Sequence, residues 1–200
     1  MNITLDFYEK NASSFAESTL YVDFRQTQDR FLDKLPQGGK ILDFGCGAGR
    51  DTKYFLMKGF DIDAADGSKE LCKLASAYTG IAVKQMLFQE LDSREAYDGI
   101  WACSSILHLS KAELKDVLWR MERAVKKEGI IYTSFKYGSF EGTRNGRYFI
   151  DFTKETFDEF MREYKNLSIE ECWITRDVRP GRGEEKWLNV IVRKNGKWMV

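Results

Sequence analysis

The stretch ILDFGCGAGRD, residues 41–51, decides how the rest of the chain is read. A short, mostly apolar run ends in Gly45, Gly47 and Gly49, which alternate with Cys46 and Ala48. A helical pattern follows over 50–58 and stops at Gly59, a residue suited to a helix C-terminus. A strand that passes through a glycine loop into a helix sets bare backbone where a ligand can press against it. Spacing then sorts the ligands. A dinucleotide fingerprint, GxGxxG, needs glycine at position 50, where Arg50 stands, and a phosphate loop ends in GK[ST], which is absent. The acid at Asp43 disfavours pyrophosphate and suits a cationic ligand.

Outward from this loop, strands and helices alternate. Lys40–Phe44 reads as a first strand, 60–65 as a second, 81–86 as a third, 97–103 as a fourth and 130–135 as a fifth. Ser68 is placed to cap a helix that runs to Tyr78 ahead of Gly80. Residues 111–127 form an amphipathic helix with Leu114, Val117, Leu118, Met121 and Val125 on one face, ended by Gly129. The segment 7–35 reads as helical up to the turn signal Pro36-Gln37-Gly38-Gly39. After a helix at 153–164, two strands at 167–175 and 186–193 follow with only the turn-rich loop RDVRPGRGE between them, which predicts an antiparallel hairpin. The alternation predicts an α/β, Rossmann-like, doubly wound and mainly parallel sheet with one antiparallel strand from that hairpin. One domain is expected over 1–200, with 1–36 as a helical N-terminal extension that acts as a lid.

Composition narrows the setting. Of 200 residues, 31 are Lys or Arg and 31 are Asp or Glu, so the whole chain has no long-range attraction for nucleic acid or anionic membrane. The start, MNITLDFYEK, lacks the basic and apolar regions of a secretory leader. No run approaches the ~20 apolar residues of a membrane span. Cys46, Cys72, Cys103 and Cys172 form no CxxC pair and there is a single histidine, so no metal is expected. Scattered cysteines suggest reduced thiols and a cytoplasmic home.

A second acid completes the pattern. Asp66 ends the second strand 21 residues after Gly45, the separation at which a carboxylate reaches ribose hydroxyls. S-adenosylmethionine (SAM) carries a ribose, a sulfonium and an ammonium, and no phosphate. The loop at 43–49, Asp66, the fourth-strand segment YDGIWA, Gly129 and the terminal hairpin together resemble the class I SAM-dependent methyltransferases. The GRD of Gly49-Arg50-Asp51 and the ILHL of 106–109 make the chain most similar to the small tellurite-resistance and thiopurine methyltransferases. The resemblance implies a seven-stranded mixed sheet and SAM as cofactor, with S-adenosylhomocysteine as product. It sets Asp43, Gly45, Cys46 and Gly47 against the methionine moiety, with Phe44 and Gly49 in the same loop, Asp66 on the ribose, and Gly67 and Ser68 at the adenine edge. The acid that often follows the third strand in the family is replaced here by Leu87 and Phe88, with Met86 beside them. Cys103 and Ser104 would lie beneath the methionine. In similar enzymes an N-terminal segment closes over the cofactor, which brings in Tyr8, Phe15 and Tyr21.

Methyl transfer to soft nucleophiles needs mainly positioning and desolvation, whereas amines and hydroxyls call for a base. His108, the only histidine, follows the fourth strand and is the candidate base; the plain alternative is a structural hydrogen bond. Lys136, Arg144 and Arg147 in the loop after the fifth strand are candidate contacts to the acceptor, as is Arg179, which is flanked by Arg176 and Arg182 in the hairpin loop. If the two loops meet in one pocket, an anionic small-molecule acceptor follows. DNA is disfavoured, because CSSILH stands where base-directed amino methyltransferases carry a proline-rich motif. RNA or protein acceptors stay open, as does a non-catalytic SAM-binding module. A nicotinamide dehydrogenase is disfavoured by the missing GxGxxG.

Overall fold

The computed structural model describes residues 3–196, so the first two residues of the 1–36 extension and the last four of the chain lie outside it. The described residues form nine strands and seven α-helices, which alternate from β1 to β5. The central strand is β1 (Lys40–Phe44), flanked in parallel by β2 (Asp61–Asp66) on one side and β4 (Tyr97–Ala102) on the other. Beyond β2 lies β3 (Lys84–Gln85); beyond β4 come β5 (Val125–Lys136), β9 (Lys186–Lys194) and β8 (Leu167–Arg176), giving the order β3-β2-β1-β4-β5-β9-β8. Strand β9 runs antiparallel between β5 and β8, so the seven-stranded mixed sheet and its hairpin origin match the expectation.

Period-two alternation explains why both faces are covered. Ile41, Trp101, Ile130 and Tyr132 face one apolar cluster, which includes Phe31 of α3 (Arg25–Leu32) and Phe55 of α4 (Arg50–Met57). Leu42, Ile100 and Ile131 face the other, filled by Leu114, Val117, Leu118 and Met121 of α6 (Lys111–Ala124) and by Phe157 and Phe160 of α7 (Lys154–Met161). Strand order reverses at β1 and β4, which opens a crevice at their carboxyl ends.

Four local readings are corrected. The stretch 7–35 is three helices, α1 (Ile3–Lys10), α2 (Ala12–Thr19) and α3. Asn11 breaks the first pair by turning its side-chain amide onto the Phe7 carbonyl at 2.8 Å, and Asp23 accepts the Arg25 N–H ahead of α3. The third strand pairs only at Lys84 and Gln85, because Val83 donates its N–H to the Ser76 hydroxyl instead of to a ladder. The helix expected to reach Lys127 ends at Ala124, since the Arg123 and Ala124 carbonyls accept the N–H groups of Glu95 and Ala96; β5 then begins with a bulge. The loop after β5 contains a hairpin of β6 (Glu141–Arg144) and β7 (Arg147–Ile150) that the sequence reading did not separate from its surroundings. Helix α5 (Lys69–Thr79) is capped by Ser68 as expected, its hydroxyl accepting the Leu71 N–H. None of the helices among the described residues is long and apolar enough to cross a membrane.

Candidate active site

The glycine loop leaves β1 inside the crevice. Gly45 takes φ +84°, and a Cβ there would lie 2.4 Å from the Ser105 Cβ, so only glycine fits between β1 and the turn after β4. Ser105 fixes that approach by donating its hydroxyl to the Phe44 carbonyl at 2.7 Å. The N–H groups of Gly45 and Cys46 bind the Ala65 carbonyl, which locks the loop to the end of β2. Asp66 braces the same junction: one carboxylate oxygen accepts the Gly47 N–H and the other the Ser68 N–H, both at 2.9 Å. Burial pushes the Asp66 carboxyl up to about 6 against the pull of these backbone donors. Each of its oxygens still has a lone pair for a ribose hydroxyl.

The N-terminal helices roof this loop. Phe15 of α2 lies over Gly47, where a Cβ would meet its ring at 3.0 Å, and Tyr8 of α1 stands edge-on to Phe15. Glu9 accepts the Ser68 hydroxyl at 2.6 Å, which ties α1 to the start of α5. On the opposite wall, Ile106–His108 form a single 3-10 turn after β4. His108 Nδ1 lies 2.6 Å from the Tyr148 carbonyl oxygen, which can only accept, so Nδ1 carries the proton. Nε2 is then an acceptor, and it takes the Tyr8 hydroxyl proton at 2.9 Å. Burial holds the imidazole down at about 4, helped by Arg147 and Arg144, against the raising effect of the Tyr148 hydrogen bond.

One pocket brings together Tyr8, Gly45, Cys46, Gly47, Asp66, Gly67, Leu87, Phe88, Cys103, Ser104, His108, Lys136, Arg147 and Arg179 of the residues singled out from the sequence. Met86 and Phe15 line it too, and so do Arg176 and Arg182, so the two basic loops do converge. The rest are placed elsewhere. Tyr21 is 83 % exposed in the turn between α2 and α3, outside the pocket. Phe44 is core, packed against Phe88; Gly49 is the N-cap of α4; Ser68 is a buried helix cap. Arg144 is drawn off the pocket by Asp151, which it binds through two hydrogen bonds of 2.6 and 2.9 Å. Asp43 is the larger correction. It is buried, accepts the Thr52 hydroxyl at 2.5 Å, and does not line the pocket. Burial, with the Asp51 carboxylate nearby, raises its carboxyl well above the usual range. It anchors α4, and of the acids that line the cavity Asp66 is the one with no ion pair among the described residues.

Arg50 and Asp51 were legible only as a family signature. Arg50 lines the pocket with Nε and Nη2 on the Asp51 carboxylate at 2.7 and 2.9 Å, and the Phe24 ring lies 4.7 Å from its guanidinium. Asp51 also accepts Trp101 Nε1 at 2.8 Å and the Gln28 amide at 2.7 Å, so this buried carboxylate is fully engaged. A guanidinium set this firmly beside the glycine loop fits the carboxylate of a methionine moiety. Trp187, Asn189 and Thr175 of the terminal hairpin also line the site; no local motif marks them. Among the cations, Arg179 binds Asp177 through Nε at 2.9 Å and Lys136 contacts Glu185 and Asp177. Arg147 makes no ion pair among the described residues, and its Nε is buried without a partner.

The glycine cradle, the Asp66 lone pairs and the Arg50 guanidinium fit a nucleoside joined to an amino acid. Comparison with known proteins agrees. Residues 41–129 match the family model described as a methyltransferase domain. The Bacillus subtilis (strain 168) protein YqeM, whose name describes it as a methyltransferase, is 28 % identical over 141 residues, 64 % of this chain and 57 % of that protein. The chain thus matches little more than half the length of that relative. The fold is similar to that of a Burkholderia thailandensis 1,6-didemethyltoxoflavin-N1-methyltransferase, solved with 1,6-didemethyltoxoflavin and S-adenosylhomocysteine bound. There the TM-score is 0.76 at 22 % identity, covering 96 % of this chain and 85 % of that one. It is similar also to a TehB-like SAM-dependent methyltransferase of Corynebacterium glutamicum, with a TM-score of 0.67 at 20 % identity over 96 % of this chain and 98 % of the other. The glycine loop, the strand-end acid and the inserted antiparallel strand thus sit in a chain whose residues 41–129 match a methyltransferase domain and whose fold is shared with SAM-dependent methyltransferases.

Proposed function

We propose that the protein transfers a methyl group by in-line displacement to a small-molecule acceptor that carries a negative charge. The observation that carries this reading is one pocket with Asp66 and the glycine loop on one wall and His108 and the unpaired Arg147 on the other. When bound, SAM supplies an electrophilic methyl on a sulfonium. Asp66 would hold the ribose hydroxyls, Arg50 the methionine carboxylate, and Leu87 and Phe88 the adenine face. Arg147 would receive an anionic group of the acceptor, since a partly buried cation without a counter-charge favours one. By covering the glycine loop, α1 and α2 would shield a ligand held there from water, which strengthens electrostatic contacts beneath them. A small acceptor is supported by this roof and by the small heterocycle held in the Burkholderia structure. Free thiols at all four cysteines support a reducing, cytoplasmic setting.

The test is a binding and transfer pair. S-adenosylhomocysteine binding followed by calorimetry is expected to weaken by ~10-fold or more in Asp66→Asn, the worth of a charge-assisted hydrogen bond. Tritiated SAM incubated with a small-molecule cell extract should yield a labelled product below the cut-off of a filtration membrane. Label found only in the RNA or protein fraction would replace the small-molecule reading.

A further inference from the structure

We infer that the acceptor is a protic N–H or O–H nucleophile and that Tyr8, from the N-terminal helix, is the catalytic residue that takes its proton, with His108 behind it as the terminal base. The inference rests on the methyltransferase reading and goes beyond it. Both ring nitrogens of His108 are already engaged: Nδ1–H with the Tyr148 carbonyl and Nε2 with the Tyr8 hydroxyl. A direct approach of an acceptor proton to His108 is therefore blocked by Tyr8. Of the Tyr8–His108 pair, the phenol oxygen is the atom left to accept a proton from the cavity. It donates to Nε2, receives Arg147 Nη1 at 3.3 Å, and keeps a second lone pair. The phenol is boxed by Phe7, Phe15 and the imidazole, with ring centroids 5.6, 5.1 and 5.5 Å away, so its hydroxyl has one orientation.

The step balances without a further reagent. The acceptor lone pair forms the bond to the methyl carbon, and the carbon–sulfur bonding pair returns to sulfur. The acceptor proton passes to the Tyr8 oxygen as the phenol proton passes to His108 Nε2. The imidazolium so formed keeps its Nδ1–H on Tyr148 and loses the extra proton to solvent once the site opens, because its surroundings favour the neutral ring. Arg147, the only cation in hydrogen-bond contact with the phenol among the described residues, steadies negative charge that develops on the oxygen. An anionic acceptor seated on Arg147 would offset that cation and make His108 a better base, which couples occupancy to proton transfer. Thiolates and other soft anions have no proton to lose, so the relay separates this site from one built for them.

The chain has a single histidine, so a long-range nitrogen–proton spectrum of labelled protein reads His108 alone. With S-adenosylhomocysteine bound, the Nδ1–H tautomer is expected, and Tyr8→Phe should move Nε2 toward the position of an acceptor without a donor. With tritiated SAM and the small-molecule extract, Tyr8→Phe should lower kcat by ~100-fold, the usual worth of a positioned acid–base group. Affinity for S-adenosylhomocysteine should stay within about threefold. Tyr8→Phe combined with His108→Gln should be no slower than the slower single variant, since the two act in series. A Tyr8→Phe protein that keeps wild-type kcat, or rate losses that multiply in the double variant, would overturn the relay while leaving methyl transfer standing. Wild-type protein that labels nothing in any fraction would overturn both.

Discussion

Gly45 sits at φ +84° with the Ser105 side chain pressed to its α-carbon, and no side chain can be added there without moving the turn that carries His108. Gly45→Ala is therefore expected to destabilise the fold by about 2 kcal/mol and to weaken S-adenosylhomocysteine binding by ~10-fold or more, checked by urea unfolding and calorimetry. An unchanged affinity would show that the loop tolerates the displacement. His108 gives a second residue-scale prediction. Its folded-state pKa is held down at about 4 against an ordinary 6.5, so the folded protein binds the proton less well than the unfolded chain. Its contribution to stability is complete above pH 6.5 and is lost as pH falls toward 4. The carboxyls of Asp43 and Asp66, held above their ordinary range, act in the opposite sense and weaken the fold as pH rises. Comparing wild type with His108→Gln isolates the histidine: between pH 4 and 6.5 the variant's stability should rise less steeply with pH, by up to about 1.4 kcal/mol per pH unit. Parallel curves from urea unfolding at several pH values would mean that His108 is not buried as a neutral ring.

At the scale of elements, α1 carries the proposed mechanism although it lies outside the sheet. Its supports include Glu9 on Ser68, Tyr148 N–H on the Thr4 hydroxyl at 2.9 Å, and Tyr8 on His108. These join the loop after β2, the strand β7 and the turn after β4, all of which border the pocket. A ligand that fills the space between them should hold the helix down. Hydrogen exchange followed by mass spectrometry is expected to slow in α1, α2 and β7 when S-adenosylhomocysteine is added, with α7 unchanged. Equal exchange with and without the ligand would remove the lid role of α1. The helical character of this region was legible from its apolar periodicity. Its breaks at Asn11 and Asp23 depend on side chains that turn back on the main chain, and a periodicity argument does not see them. The β6–β7 hairpin was hidden for a different reason. Glu141–Arg144 is polar and half exposed, so it shows neither the alternation nor the apolar run of a sheet strand.

For the molecule as a whole, balanced charge sets the expected response to salt. A protein that grips RNA through phosphates would lose ~10³-fold or more in affinity between 50 and 200 mM salt. Here the pocket's Lys136 and Arg179 are already neutralised by Glu185 and Asp177, and Arg147 lines the cavity beneath α1. The kcat/KM for a small acceptor should therefore fall less than ~10-fold over that range, the scale of a single screened ion pair. A steep fall would return the RNA reading.

The glycine spacing, the acid at Asp66, the capping residue Ser68 and the order of apolar blocks are local features, and they sufficed for the fold and for the resemblance to SAM-dependent methyltransferases. Local pattern works there because strand, turn and helix are set by neighbours a few residues apart, and βαβ chirality then leaves few ways to assemble them. The reacting end of the pocket was not determined that way. Tyr8 and His108 are 100 residues apart and Tyr8 and Arg147 are 139 apart, and only packing brings them into contact. Packing also decides which charges remain free. Arg144 and Arg147 lie on adjacent strands of one hairpin and look alike in sequence, yet Asp151 captures the first and leaves the second to the site. Asp43, which from spacing alone looked like a charge facing the ligand, is turned inward onto Thr52, because burial favours its hydrogen bond over its ionised form.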